Sequence, residues 1–313
     1  MDVIDNRTVL DFQKFTFSGH LRTHVYKVLD ENIKLGHADY ACYWTLELLC
    51  SGLVHSYWNT IFLSSAIHLS RSPNVFLYLV RMYERFAPIE DRYSIRNMTD
   101  IRNNQEVRQL VCEVTASVAL CKKSKIPTLP RIKPEHDFTP EVIRESLKAP
   151  SNAYARTIMK QEDPMELFIP VNELIFCLKE KDTRALYWVS WILAFAVKYR
   201  TETKQYLTCS YRSNDYVDEE YLRSPVWIIW ACVQSTASPQ ASIYIDALFK
   251  MYCLRWAKGE LKRRIPFLIT SIIYVCEPLD LHPVPQSISA VQDVAMNIPQ
   301  WINGIIDTKK MFE

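Results

Sequence analysis

Apolar positions in this chain recur at spacings of three and four, the period of helices buried along one face. Between residues 33 and 74 the pattern is clearest, running as apolar helix, short glycine turn and apolar helix. Ala41, Trp44, Leu48 and Leu49 fall on one face of the first helix, which places Trp44 in the buried stripe. Asp39 stands where a helix start wants an acceptor for its free N–H groups. Gly52 follows LELLCS where a left-handed residue closes a helix, Val54 to Leu69 forms the next helix, and Pro73 ends what precedes it. The same spacing predicts helices over Phe17 to Lys34, Asn103 to Lys123, Met165 to Lys181, Glu260 to Cys276 and about Ser287 to Ile306. Pro170 and Pro266 should kink helices or occupy their first turns.

Between the two apolar-rich halves lies KKSKIPTLPRIKPEHDFTPE, with Pro127, Pro130, Pro134 and Pro140. Proline at that density opposes regular helix, so the stretch is expected to be an extended connector. The expected organisation is a helical domain over 1–125, a connector over 126–150 and a second helical domain over 151–313, with shorter helices from Val142 to Lys160. A partial echo links the halves. Ala41-Cys42-Tyr43-Trp44 returns as Ala185-Leu186-Tyr187-Trp188, and Arg71-Ser72-Pro73 returns as Arg223-Ser224-Pro225, in the same order. Either the halves descend from a duplication, or buried helices simply resemble one another.

Composition sharpens the class. With 49% hydrophobic residues in 313, the chain has ample material for a core. Only 5 glycines leave few positions for the tight hairpins of a mostly-β fold, so the expected fold is all-α, two packed multi-helix bundles with proline at the breaks. The 9 cysteines lie scattered in apolar helical segments with no C-x-x-C pair, and no secretory signal opens the chain. They read as reduced core thiols of an intracellular, non-secreted protein. No apolar run reaches the length of a membrane span, as in TRALYWVSWILAFAVKYR, where charge interrupts.

Glycines Gly19, Gly36, Gly52, Gly259 and Gly304 each stand alone, so no G-x-x-x-x-G-K-[ST] phosphate loop exists, nor a G-x-S-x-G elbow or an H-E-x-x-H pair. ATP binding and hydrolysis are therefore not expected. His20 and His24, one turn apart, offer two nitrogens to a metal but lack a placed third ligand, and read as helix-surface or capping residues. Glu47, inside YWTLELLCSG, needs a partner if buried. A groove or an arginine such as Arg22 or Arg81 is expected to serve, since no second acid at a defined spacing supports catalysis. Basic residues cluster at Lys122, Lys123, Lys125, Arg131 and Lys133, and again at Lys258, Lys262, Arg263 and Arg264. Such clusters either neutralise phosphates or form solvated helix ends, with cations suiting the C-terminal dipole of the helix near Lys123. The net charge of +2 favours the second reading.

Gly36, Asp39, Ala41, Tyr43, Trp44, Leu48, Gly52, Ile61, Ser65, Ala66 and Pro73 together resemble the start of the C-terminal helical collar in clamp-loader-like AAA+ ATPases of the RarA type. The likeness covers about an eighth of the chain and carries no ATPase module. Since collars in that family hold subunits together in rings, the resemblance implies a non-enzymatic oligomerisation or adaptor role beside a DNA replication machine. RNNQEVRQLVCEV, DPMELFIPVNELIFCL and SPVWIIWACV are similar to segments of uncharacterised helical proteins of large nucleocytoplasmic DNA viruses. That setting implies the host cytoplasm or nucleus, and the alternative role of a minor or internal capsid protein. No cofactor or metal is expected; the partners expected are protein subunits, self or other, with nucleic acid less favoured.

Overall fold

The computed structural model describes residues 2–94, 97–256, 259–286 and 289–312. These residues fold as helices and connecting turns, with a lone antiparallel bridge between Phe15 and Leu21 in place of any strand. The chain divides into two compact units, one of residues 1–125 with 280–313 and one of residues 126–279. The C-terminal segment thus belongs to the first unit, not to a 151–313 domain, and the second unit is an insertion in the first.

The first unit contains α1 (Arg22–Leu35), α2 (Ala38–Cys50), α3 (Val54–His68), α4 (Pro73–Glu90), α5 (Gln105–Leu120), α13 (Ser289–Gln292) and α14 (Val294–Phe312). Helix α1 starts later than its apolar pattern, because Thr16 to Gly19 form a tight turn and residues 15–21 make a hook instead. Gly36 closes α1 in the left-handed region at φ 78°, where its N–H reaches Ile33 O and the His37 N–H reaches Asn32 O. Gly52 closes α2 at φ 69° in the same way, and an added Cβ would meet the Thr99 backbone at 3.3 Å. Helix α2 packs against α1, α5 and α14. Tyr57 of α3 donates to Val111 O of α5 at 2.8 Å, and Trp58, Phe62, Tyr83 and Phe86 join α3 to α4 ring against ring.

The second unit contains α6 (Pro134–Asp137), α7 (Pro140–Ser146), α8 (Phe168–Lys179), α9 (Ala185–Thr203), α10 (Val226–Thr236), α11 (Pro239–Cys253) and α12 (Leu261–Cys276). The expected extended connector contains α6 and α7, because Pro134 and Pro140 occupy first-turn positions where the missing N–H costs nothing. Beyond α7 the expected short helices shrink to one 3-10 turn at Ala155–Thr157. Pro170 lies in the first turn of α8, and Pro266 inside α12. Helix α8 packs on α9 and α10, while α11 packs on α12. Trp191 of α9 stacks on Phe195, meets Phe138 at 4.7 Å and donates its indole N–H to Asp137 O.

All nine cysteines are buried and unpaired. Burial pushes Cys50, Cys177, Cys209 and Cys276 up to about 12, so these thiols stay protonated and act as packing groups.

Candidate functional site

The basic residues singled out by sequence have unlike fates. Lys123 is folded back onto the end of α5, where its ammonium donates to Val118 O, Ala119 O and Cys121 O at 3.2, 2.5 and 2.8 Å. It closes the carbonyl end of the helix, and burial pushes it down to about 8. Arg264 does the corresponding work for α11. Only 5% exposed, it donates to Tyr252 O and to Arg255 O and pairs with Glu260 at 3.5 Å. Neither is free to meet a phosphate. Lys122 is exposed and pairs with Asp280 at 3.6 Å; Lys125, Lys262 and Arg263 are also exposed, with Arg263 3.9 Å from Glu260. Lys258 lies outside the described residues.

Of the collar-like residues, Ala41 is fully buried, Asp39 is exposed in the first turn of α2 with His37 at the cap, and Pro73 opens α4. Trp44 is a correction. It is only half-buried, because it sits at the edge of the α2 stripe and meets His20 of the hook and His24 of α1 edge-on at 5.2 and 6.1 Å. The two histidines therefore flank an indole, and among the described residues no His, Cys, Asp and Glu group of metal-site size occurs. Tyr43 is half-buried against α14, its ring 3.5 Å from the Cβ position of Gly304.

Glu47 is fully buried, and its partner is neither Arg22 nor Arg81. Its carboxylate accepts from Ser18 N–H at 2.8 Å and Ser18 Oγ at 2.6 Å, which fastens the 15–21 hook to α2. Arg22 instead reaches back across the hook to donate to Gln13 O, steadied by its bond to Tyr26 Oη in the next turn of α1. The N-terminal segment has a second fastening at Asp5, whose side chain is 3% exposed and receives Arg7 at 2.6 Å and Lys309 at 3.2 Å. Burial pushes the Asp5 carboxyl up, and the Arg7 and Lys309 contacts override it and hold it at about 2. On this held segment Leu10, Phe15 and Leu21 remain 65%, 45% and 46% exposed.

In the second unit the counterpart of Glu47 is Glu173, 2% exposed, which accepts from the N–H groups of Lys148 and Ala149. A carboxylate inside FIPVNELIFCL was the available signal for it.

The second unit also contains a cavity of about 330 Å³. Ile158, Ala231 and Phe249 give it its apolar side above the buried Trp227 and Trp230, which are 3% and 1% exposed, while Thr157, Lys160, Ser213 and Asn214 form its polar lip. The lip is clamped from below by Asp163, whose side chain is wholly buried. Its two oxygens accept from Lys160 N–H, Ser210 N–H and both terminal nitrogens of Arg212, at 2.7 to 3.0 Å. Burial pushes Asp163 up, and the Arg212 and backbone hydrogen bonds hold it below the usual carboxylate range. Compared with known protein families, characterised proteins and solved structures, the chain matches none. No sequence spacing announced this clamp, because Asp163 and Arg212 lie in irregular segments; the turn signal Asp163-Pro164 was its only trace. No described helix is long and apolar enough to cross a membrane.

Proposed function

We propose that this chain is a non-enzymatic assembly protein whose first unit joins protein subunits, with self-association through the N-terminal hook. The observation that carries this reading is the set of exposed apolar side chains Leu10, Phe15 and Leu21 on the N-terminal segment that ends in the hook, where Glu47 holds Ser18 and Arg22 holds Gln13 O. Exposed apolar residues scattered singly are ordinary, whereas several on one short, rigid segment mark an interaction surface. A held backbone also lowers the ordering cost of association. The collar-like α1–α3 segment supports the same reading, because collars hold subunits together. It suggests a DNA replication machine as the setting.

The buried charges support a structural role over a catalytic or nucleic-acid one. Lys123, Arg264, Arg212, Asp163, Glu47 and Glu173 are each engaged in bonds that fix helix ends or loops. The alternative role is a component of a virus particle.

Capture of the tagged full chain from its native cells, beside the exposed-site variant Leu10→Ser/Phe15→Ser, tests the proposal. Untagged copies of the chain should be retained by the wild type and lost from the variant. Retention of polymerase, sliding-clamp or loader subunits favours the replication setting, and stoichiometric recovery in purified particles favours the virion. Equal retention by wild type and variant would exclude the hook as the joining surface.

A further inference from the structure

The apolar side chains of the hook segment sit in a positive rim. Residues 10–27 carry Lys14, Arg22 and Lys27 against one acid, Asp11, which is occupied by the N–H and hydroxyl of Thr8. Lys14 and Lys27 are exposed, and Lys14 lies over the Phe15 ring at 5.2 Å. Among the described residues neither lysine has a carboxylate partner. A contact between two hooks would use the same patch on both copies and set the cations of one opposite those of the other. Like charges opposed across an interface select against that pairing, so the hook calls for an acidic counterpart.

The second unit carries one. Asp215, Asp218, Glu219 and Glu220 are all exposed, and no lysine or arginine interrupts residues 215–221. Among the described residues none of the four acids is ion-paired. The stretch also offers an apolar element, since Tyr216 is 49% exposed with its ring edge-on to Phe249 of α11 at 6.4 Å. Its backbone is held as the hook is. Tyr221 O accepts the Trp227 indole N–H at 2.7 Å, and Leu222 O accepts the Arg212 N–H at 3.3 Å. Two segments that are already held lose little freedom when they meet.

We propose that the hook of one copy docks on residues 215–221 of a second copy, head to tail. Lys14 and Lys27 meet the acids, while Leu10, Phe15 and Leu21 cover Tyr216. This pairing rests on the hook as the joining surface and names what the hook joins. It differs from a two-fold contact in two measurable ways. Each chain keeps one hook and one acidic stretch, so a pair of copies still has a free end of each kind and a third copy can add. The charges that select the partner are exposed, so salt screens them, whereas a contact made by apolar side chains alone would not weaken with salt.

Light scattering of the full chain at about 0.05 and 0.5 M salt tests this, with Lys14→Glu/Lys27→Glu on the hook and Asp215→Lys/Glu219→Lys on the acidic stretch. The wild type should pass the dimer as concentration rises and should associate less at high salt. Each charge reversal should weaken association about tenfold. A chain carrying both reversals, and an equimolar mixture of the two reversed chains, should recover the wild-type mass, because opposite charges meet again. All four side chains are exposed, and an unchanged helical circular-dichroism signal checks that the variants fold. Undiminished association in Asp215→Lys/Glu219→Lys, beside loss in Leu10→Ser/Phe15→Ser, would overturn the acidic stretch as counterpart and leave the hook standing. So would a mass that stops at the dimer, or a doubly reversed chain that does not recover. A wild type at 36.7 kDa throughout would overturn the hook itself, and this pairing with it.

Discussion

The α1–α2 hairpin of the first unit and the α8–α9 hairpin of the second share their local devices and differ in what covers them. Each first helix ends on a left-handed residue, Gly36 at φ 78° and Lys181 at φ 55°, followed by the same pair of backbone bonds. In each second helix the Ala-x-Tyr-Trp run sets a tyrosine edge-on to a tryptophan, with ring centroids 5.3 and 5.1 Å apart. Each hairpin also carries a buried glutamate that receives N–H groups from an irregular segment. Yet Trp44 is half-buried at a rim of histidines, while Trp188 is 2% exposed. After the hairpins the order of elements diverges: Gly52 leads straight into α3, whereas α9 is followed by an irregular stretch up to α10. Local signals make the hairpin, and elements far away in sequence decide which of its side chains are core.

The tryptophans give the sharpest way to break that comparison. Trp188→Ala should cost about 3–5 kcal/mol, the range for emptying a large buried site, and Trp44→Ala roughly 1–2 kcal/mol, as fits partial burial. Equal losses in denaturant melts of the two variants would mean that the hairpins are covered alike.

The glutamates come next. Glu47→Ala should destabilise by about 2–3 kcal/mol, since it leaves the buried Ser18 N–H and hydroxyl without an acceptor, and Glu173→Ala by about 1–2 kcal/mol, since the Lys148 and Ala149 N–H groups it frees are only part-buried. Hydrogen exchange sharpens this. Protection should fall at Ser18 in the first variant and at Lys148 and Ala149 in the second; loss spread evenly over either unit would deny that the carboxylates fasten those segments.

The helix ends give the smallest effects, with opposite signs. Gly36→Ala forces a Cβ into the left-handed region and should cost about 1 kcal/mol, whereas Lys181→Gly relieves that cost and should gain about 0.5 kcal/mol net of the extra freedom of the unfolded chain. A stabilising Gly36→Ala would show that the two ends are not alike.

The all-α class, the helix pairs and the glycine closure at Gly52 were legible in the sequence, because period and capping are local. Three things were not. The return of residues 280–313 to the first unit depends on packing that no local pattern encodes. The prolines of the expected connector are as compatible with helix starts as with extended chain, and α6 and α7 take the first option. The clusters around Lys123 and Arg264 look like surface charge in sequence, since a long cationic side chain that turns back onto its own helix end is written with the same letters as one that points to water.

The account's central claim is that the hook of the first unit joins copies of this chain, and the solution mass tests it most directly. Light scattering on the eluting full chain, from the micromolar to the millimolar range, should show a mass that rises in multiples of 36.7 kDa. Leu10→Ser/Phe15→Ser should return it to the single-chain value while the helical circular-dichroism signal is unchanged. A wild-type chain that stays at 36.7 kDa at every concentration would contradict self-association through the hook.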